Sequence, residues 1–161
     1  MIKFFFCLFL LMGLFLSTRC FSQQTKEGKR NHFQYATSAY RIFKFKKSYY
    51  WVSKNAKPTT LSHPEIKLLD KLLNLAIKEY NKNISNNMFS IKPLIVYKRQ
   101  IVPIINNKGE KEVWINCLCD RRDNTWKNQI IIVMDGGNCY FNLKINLTKK
   151  TFSQIAVNGY A

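Results

Sequence analysis

Leu61-Ser62-His63-Pro64-Glu65-Ile66, running on into Lys67-Leu68-Leu69-Asp70-Lys71-Leu72-Leu73-Asn74-Leu75-Ala76-Ile77-Lys78-Glu79-Tyr80, is the stretch on which the fold turns. It opens with a complete helix start signal. Ser62 can cap a free backbone N–H, and Glu65, three residues on, can reach back to the Ser62 N–H. Pro64 sits in the first turn, where a missing N–H costs nothing. Leu61 and Ile66 hold the two positions of a hydrophobic staple. Ile66, Leu69, Leu73, Ala76, Ile77 and Tyr80 recur at threes and fours, which is one face of a helix. Leu68, Leu72 and Leu75 widen that face. Lys67, Asp70, Lys71, Asn74, Lys78 and Glu79 make the wet side. The run from Asn81-Lys82-Asn83 to Asn86-Asn87 ends the helix, because Asn tolerates the left-handed conformation that follows one. So wide an apolar face calls for a sheet laid across it.

Downstream, the pattern is that of strands. Ile91 to Ile105 reads as extended, with Pro93 and Pro103 restricting pairing at its ends. Asn106-Asn107-Lys108-Gly109 is a hairpin signal. Glu110 to Cys119 returns, with Val113, Ile115, Cys117 and Cys119 on one face and Trp114, Asn116 and Leu118 on the other. Asp120 to Lys127 is a charged loop, and Gln129 to Met134 a short apolar strand. Asp135-Gly136-Gly137-Asn138 is the strongest turn in the chain. Cys139, Phe141, Leu143, Ile145 and Leu147 then alternate with Tyr140, Asn142, Lys144 and Asn146, as a half-buried strand does. Thr151 to Val157 is a last strand, closed by Asn158-Gly159. One long helix and an antiparallel meander predict an α+β fold, the twisted sheet burying one face on the helix and wetting the other.

Upstream, the first residues read as an export signal. Lys3 supplies the positive start, and Phe4 to Leu16 is an apolar run of signal-peptide length, too short to span a bilayer. Cys20 and Ser22 are small enough for the cleavage-site positions, which places the cut after Ser22. Lipid attachment at Cys20 is the alternative, but Arg19 stands where a lipoprotein signal has Gly or Ala. The reading is therefore a signal peptide over 1–22 and a single domain over 23–161, secreted or periplasmic, with no membrane span in the mature chain. Its 139 residues suit one domain with a real core. Removing Lys3 and Arg19 leaves 24 basic residues against 9 acidic ones, a net charge of +15. That field favours acidic glycans, lipopolysaccharide, anionic lipid or nucleic acid, and the partner expected is a protein, an anionic glycan or an envelope component. Export counts against nucleic acid. The chain is also rich in Lys, Asn and Ile and poor in Ala, the usage of an AT-rich genome, which would raise the charge by itself.

Aromatic and basic residues concentrate between Phe33 and Val52. Phe43 and Phe45 alternate with Lys44 and Lys46, and Tyr49, Tyr50 and Trp51 follow. Such interleaving suits a glycan-binding or single-strand-binding surface. It equally suits a strand whose aromatics pack on the core while its lysines stay in water. Arg41, Lys44, Lys46, Lys47, Tyr49, Tyr50 and Trp51 are the candidate binding residues. Cys117, Cys119 and Cys139 remain after export, and three cysteines cannot all pair within one chain. If Gln129–Met134 is a strand, Cys139 and Cys119 lie at its opposite ends, roughly 20 Å apart, beyond disulfide reach. Cys139 is then a buried thiol, and Cys117 and Cys119 are free or locally paired.

Chemistry leaves few marks. His32 lies in the leader and His63 at the first helical position. No Ser sits in a nucleophile elbow, Gly136-Gly137 is a turn and not a phosphate loop, and the cysteines form no Cys-x-x-Cys pair and have no His near them, which counts against a zinc site. Glu110 and Glu112 share a strand face beside a turn, the ordinary setting of solvated carboxylates among lysines. The expectation is a binding protein and not an enzyme, with no cofactor and no metal.

A helix followed by a wrapping antiparallel meander in a small exported chain resembles the cystatin family. Ala76-Ile77-Lys78-Glu79-Tyr80-Asn81-Lys82 looks like the end of a cystatin helix, and Gln100-Ile101-Val102-Pro103-Ile104 looks like the cystatin Q-x-V-x-G loop. The resemblance covers about Ser62 to Lys149. It implies inhibition of papain-like cysteine proteases, with Gln100, Ile101, Val102 and Pro103 in the inhibitory loop. Ile104 replaces the family's glycine, the hairpin signal lies at Asn106–Gly109, and Asp135–Asn138 stands where cystatins have a Pro-Trp hairpin. A nuclear-transport-factor-2-like enzyme with the same architecture would need a polar residue in the concave face, and the core side of Cys139–Leu147 offers none. The C-terminal half also resembles small exported proteins of Bacteroidetes-type bacteria.

Overall fold

The computed structural model describes residues 39–119 and 123–160. The expected signal segment with its cleavage site and Cys20, the leader with His32, and the positions 120–122 lie outside the described residues. The elements are β1 (Tyr40–Ile42), β2 (Lys57–Pro58), α1 (His63–Asn83), β3 (Tyr97–Ile105), β4 (Lys111–Cys119), β5 (Tyr140–Asn146), β6 (Thr151–Phe152) and β7 (Ala156–Val157). Together they make an α+β fold, one helix on a seven-stranded open sheet ordered β1-β3-β4-β5-β6, with β2 also on β3 and β7 also on β5. All pairings are antiparallel except that of β1, which runs parallel to β3.

The helix begins as its sequence dictates. The Glu65 carboxylate accepts the Ser62 backbone N–H at 2.7 Å and the Ser62 hydroxyl at 2.9 Å. Leu69, Leu72, Leu73, Ala76 and Ile77 are buried on the sheet. Each fully buried Leu or Ile contributes about 1.5–3 kcal/mol. Two positions differ from the expected faces. Leu75 stays 45% exposed, and Asp70, expected to be wet, turns toward the sheet and takes the buried Arg99 guanidinium at 2.7 Å. The helix ends without a left-handed residue: its C-cap, Ile84, is extended. The stop comes instead from Asn81, whose amide binds both the N–H and the C=O of Ile91 at 2.9 Å and so fixes the return of the chain.

The hairpin at Asn106–Gly109 joins β3 to β4, with Gly109 left-handed at φ +76°. Pro103 is fully inside β3, opposite Val113. Its missing N–H falls on the outer edge: Arg99, four residues earlier and so pointing the same way, donates to Ala39 there. β1 ends its pairing at Ile101 and β2 starts at Ile104, so Pro103 occupies a gap where no donor is needed. In β5, Phe141, Leu143 and Ile145 are buried between half-exposed neighbours, the alternation its sequence shows. The last strand is split into β6 and β7, with Ser153 bridging to Lys144 through the N–H and the hydroxyl.

Three expectations are overturned. The outer face of the sheet is covered over β3 and β4: Phe45 and Val52 of the segment after β1 pack with Val102, Ile104 and Trp114 into a second core opposite the helix, and β5 keeps half-exposed polar side chains. Half of the outer-face residues of β3 and β4 are apolar, and these four, Val102, Ile104, Trp114 and Leu118, are all buried. Secondly, Gln129–Met134 is not a strand. β5 pairs directly with β4, Leu118 opposite Tyr140, and of the connection between them the described part, from 123 on, crosses the outer face. It is held by side-chain amides. Gln100 Nε2 donates to the carbonyls of Trp126 and Gln129, both at 2.7 Å, and Gln100 Oε1 accepts the Ile131 N–H at 2.8 Å. Asn116 Nδ2 donates to the Ile131 carbonyl at 2.7 Å. Thirdly, Cys139 is not a free thiol. The same pairing sets Cys119 and Cys139 side by side at one end of the sheet, Cα atoms 4.8 Å apart, in a disulfide. Among the described residues Cys117 alone is free, and burial pushes its thiol pKa far up.

Candidate functional site

The candidate binding residues lie on an arm, Arg41–Val52, laid over the outer face of the sheet. β1 fixes its start, and the Phe43 N–H continues the pairing to the Ile101 carbonyl at 2.8 Å. Extended backbone then sends alternate side chains in opposite directions. Phe45 goes down into the second core while Lys44 and Lys46 stay exposed on either side of it. Two successive turns follow, Tyr49 N–H to Lys46 C=O and Val52 N–H to Tyr49 C=O, each 2.9 Å. Val52 is fully buried and anchors the far end. Between these anchors the rings gather. Trp51 lies 5.4 Å from Tyr49 and 5.6 Å from Tyr50, centroid to centroid. Tyr50 is 68% and Trp51 43% exposed, whereas Tyr49 is half-buried against the second core.

The electrostatics of the arm set it apart. From Ala39 to Ser62 the chain has six basic residues and no carboxylate. Elsewhere three acids are answered locally: Asp70 by Arg99 at 2.7 Å, Glu65 by Lys111 at 2.7 Å, Glu110 by Lys149 at 2.6 Å. The Lys111 ammonium, with the Ser62 N–H, holds the Glu65 pKa down at about 2. Lys149, with the amides of Asn106 and Asn146, does the same for Glu110. Arg41, Lys44, Lys46 and Lys47 are exposed, and among the described residues none meets a carboxylate. The geometry brings these cations together with two exposed rings on a backbone that is pinned from below.

Gln100, Ile101, Val102 and Pro103 are placed differently. All four are buried in the middle of β3 and paired with β4, and Gln100 and Ile101 are paired with β1 as well. They form no loop, and the nearest hairpin tip lies beyond them at Asn106–Gly109. The physical reason is the second core: Val102 belongs to it, and the Gln100 amide is committed to the crossing connection.

Glu110 and Glu112 do not stand as isolated surface carboxylates. They meet the amides of Asn106 and Asn146 beside an open hollow that the arm leaves uncovered, with Ser53 on its rim. The signal available in the sequence was the row of polar residues at alternate strand positions, Glu112 and Asn146, which end up directly opposite each other. Among the described residues no three His, Cys, Asp or Glu side chains converge as a metal site would require. Among the same residues no helix is long and apolar enough to cross a membrane. No family model, curated protein or solved structure matches this chain.

Proposed function

We propose that the protein is an exported binding module, cut after Ser22, whose arm from Arg41 to Trp51 holds an acidic glycan. The observation that carries this reading is the division of the arm: Phe45 and Val52 are spent on the core, while Tyr50, Trp51 and four cations are presented without acidic partners. Aromatic rings offer flat apolar faces with polar rims, suited to the CH face of a sugar ring. The cations answer its acid groups. A surface already held in place loses little entropy on binding. The arm also explains why the binding residues are hard to separate from core residues by pattern alone, since one short segment does both.

Charge-removal variants test it. Every protein this basic binds heparin to some degree, and that attraction weakens with salt because screening shortens to about 8 Å at physiological ionic strength. One variant changes Lys44, Lys46 and Lys47 to Gln. The other changes Lys67, Lys71 and Lys78, which are exposed on the far side of α1. Both lose the same charge. Measured by titration calorimetry at 150 mM salt, the arm variant is expected to lose at least tenfold more affinity for heparin than the helix variant. Equal losses would show a diffuse field and no site.

A further inference from the structure

We infer that the hollow beside the arm is a second saccharide subsite, taking one carboxylated sugar residue. Its floor is already built. Asn106 Nδ2 donates to Glu112 Oε1 at 2.8 Å and Glu110 Oε2 at 3.2 Å; Asn146 Nδ2 reaches Glu110 Oε2 at 2.7 Å. The amide oxygens are used as well, Asn106 Oδ1 by the N–H groups of Lys108 and Glu110, Asn146 Oδ1 by that of Lys149. Lys149 Nζ closes the network on Glu110 Oε1 at 2.6 Å. Both amides are therefore fixed in orientation.

What this floor leaves over is a mixed set of groups. Glu112, whose second carboxylate oxygen is not used by this floor, Lys108, Lys144, Asn107 and Thr151 all line the hollow. Among the described residues neither that oxygen nor the polar side-chain end of the other four has a hydrogen-bond partner. A simple anion would meet the lysines but be opposed by Glu110 and Glu112. A neutral polyol would satisfy Glu112 and leave the lysines unused. A hexuronate carries both parts: a carboxylate for Lys144 and Lys108, and neighbouring hydroxyls to donate to Glu112 and accept from Thr151. Ser53, directly after the Val52 anchor, lies on the rim, so a chain held on the arm can place one residue here. The ligand class rests on the acidic-glycan reading of the arm; the subsite rests on its own groups.

Digalacturonate is the probe, a disaccharide short enough to occupy one subsite alone. With it, backbone amide shifts of the mature protein are expected to move at Asn107, Lys108, Glu112 and Thr151. Its carboxyl-reduced counterpart is expected to move them at least fivefold less at equal concentration. Lys144→Gln is expected to abolish the effect, and because the Lys144 ammonium makes no hydrogen bond or ion pair among the described residues, the variant keeps its fold, which its own spectrum verifies. Unmoved hollow amides, or equal movement in Lys144→Gln, overturn the subsite. If the hollow stays silent while polygalacturonate loses affinity in the Lys44/Lys46/Lys47→Gln variant, the arm stands and the subsite falls. If the hollow responds while that variant binds the polymer normally, the subsite stands and the arm falls.

Discussion

Replacing Cys119 and Cys139 together by Ser opens the ring that closes the crossing connection. The two cysteines are 20 positions apart. On the chain-entropy account, a cross-link over a loop of that length restricts the unfolded chain by an amount worth about 3 kcal/mol. The amides of Gln100 and Asn116 hold the connection in the folded state, but they place no limit on the unfolded chain and so do not substitute for the bond. Unfolding entropy near 2.1 cal/mol/K per residue, over a body of about 120 residues, converts this loss into a fall in Tm of about 12 °C. Thermal unfolding followed by circular dichroism, with and without reductant, measures it. The double variant is expected to melt that much lower and to ignore reductant, and the reduced parent to melt with it. Cys117→Ala, which removes a buried thiol outside the bond, keeps the full sensitivity to reductant. A change below about 3 °C, or three reactive thiols in the denatured, unreduced mature chain, refutes the reasoning.

Two further outcomes follow from burial and charge. Leu143 is 2% exposed beneath α1 and Lys144 points to the other face; Leu143→Asp buries an unpaired carboxylate at a cost of several kcal/mol, comparable with the whole stability, so it unfolds the domain while Lys144→Asp does not, and equal melting temperatures would mean that the register of β5 is wrong. For pH, the Glu65 carboxyl titrates at about 2 in the folded state, below its ordinary value of 4.5, because of Lys111 and Ser62. Its contribution is therefore present above 4.5 and lost as pH falls from there toward 2. Urea unfolding across that window is expected to show a shallower loss of stability in Glu65→Gln than in the parent, and parallel curves would count against the Lys111 pairing.

The fold was legible where one signal acted alone. Ser62, Pro64 and Glu65 fixed the start of α1 because a capping box is local chemistry, and Phe141–Ile145 fixed β5 because alternation has one interpretation. The misreadings came where two signals were equivalent. Gln129–Met134 has the apolar composition of a buried strand, yet its backbone is held at Gln129 and Ile131 by the amides of Gln100 and Asn116 and at Val133 by that of Asn158, which sequence spacing does not connect to it. Reading that segment as a strand drives Cys119 and Cys139 to opposite ends of it. The disulfide is thus the consequence of β4 pairing with β5, a long-range fact with no local mark.

The arm shows the same limit from the other side. Phe43, Phe45, Tyr49, Tyr50 and Trp51 are chemically alike in the sequence, and nothing in their spacing says which of them faces the sheet. What decides it is the outer face of β3 and β4, where Val102, Ile104 and Trp114 need covering. Phe45 and Val52 meet that need, and the turns between them leave Tyr50 and Trp51 outside. A surface that binds and a segment that covers a core are therefore not rival readings of Arg41–Val52. The second fixes the backbone on which the first depends, and the polar row from Glu112 to Asn146 begins where that cover stops.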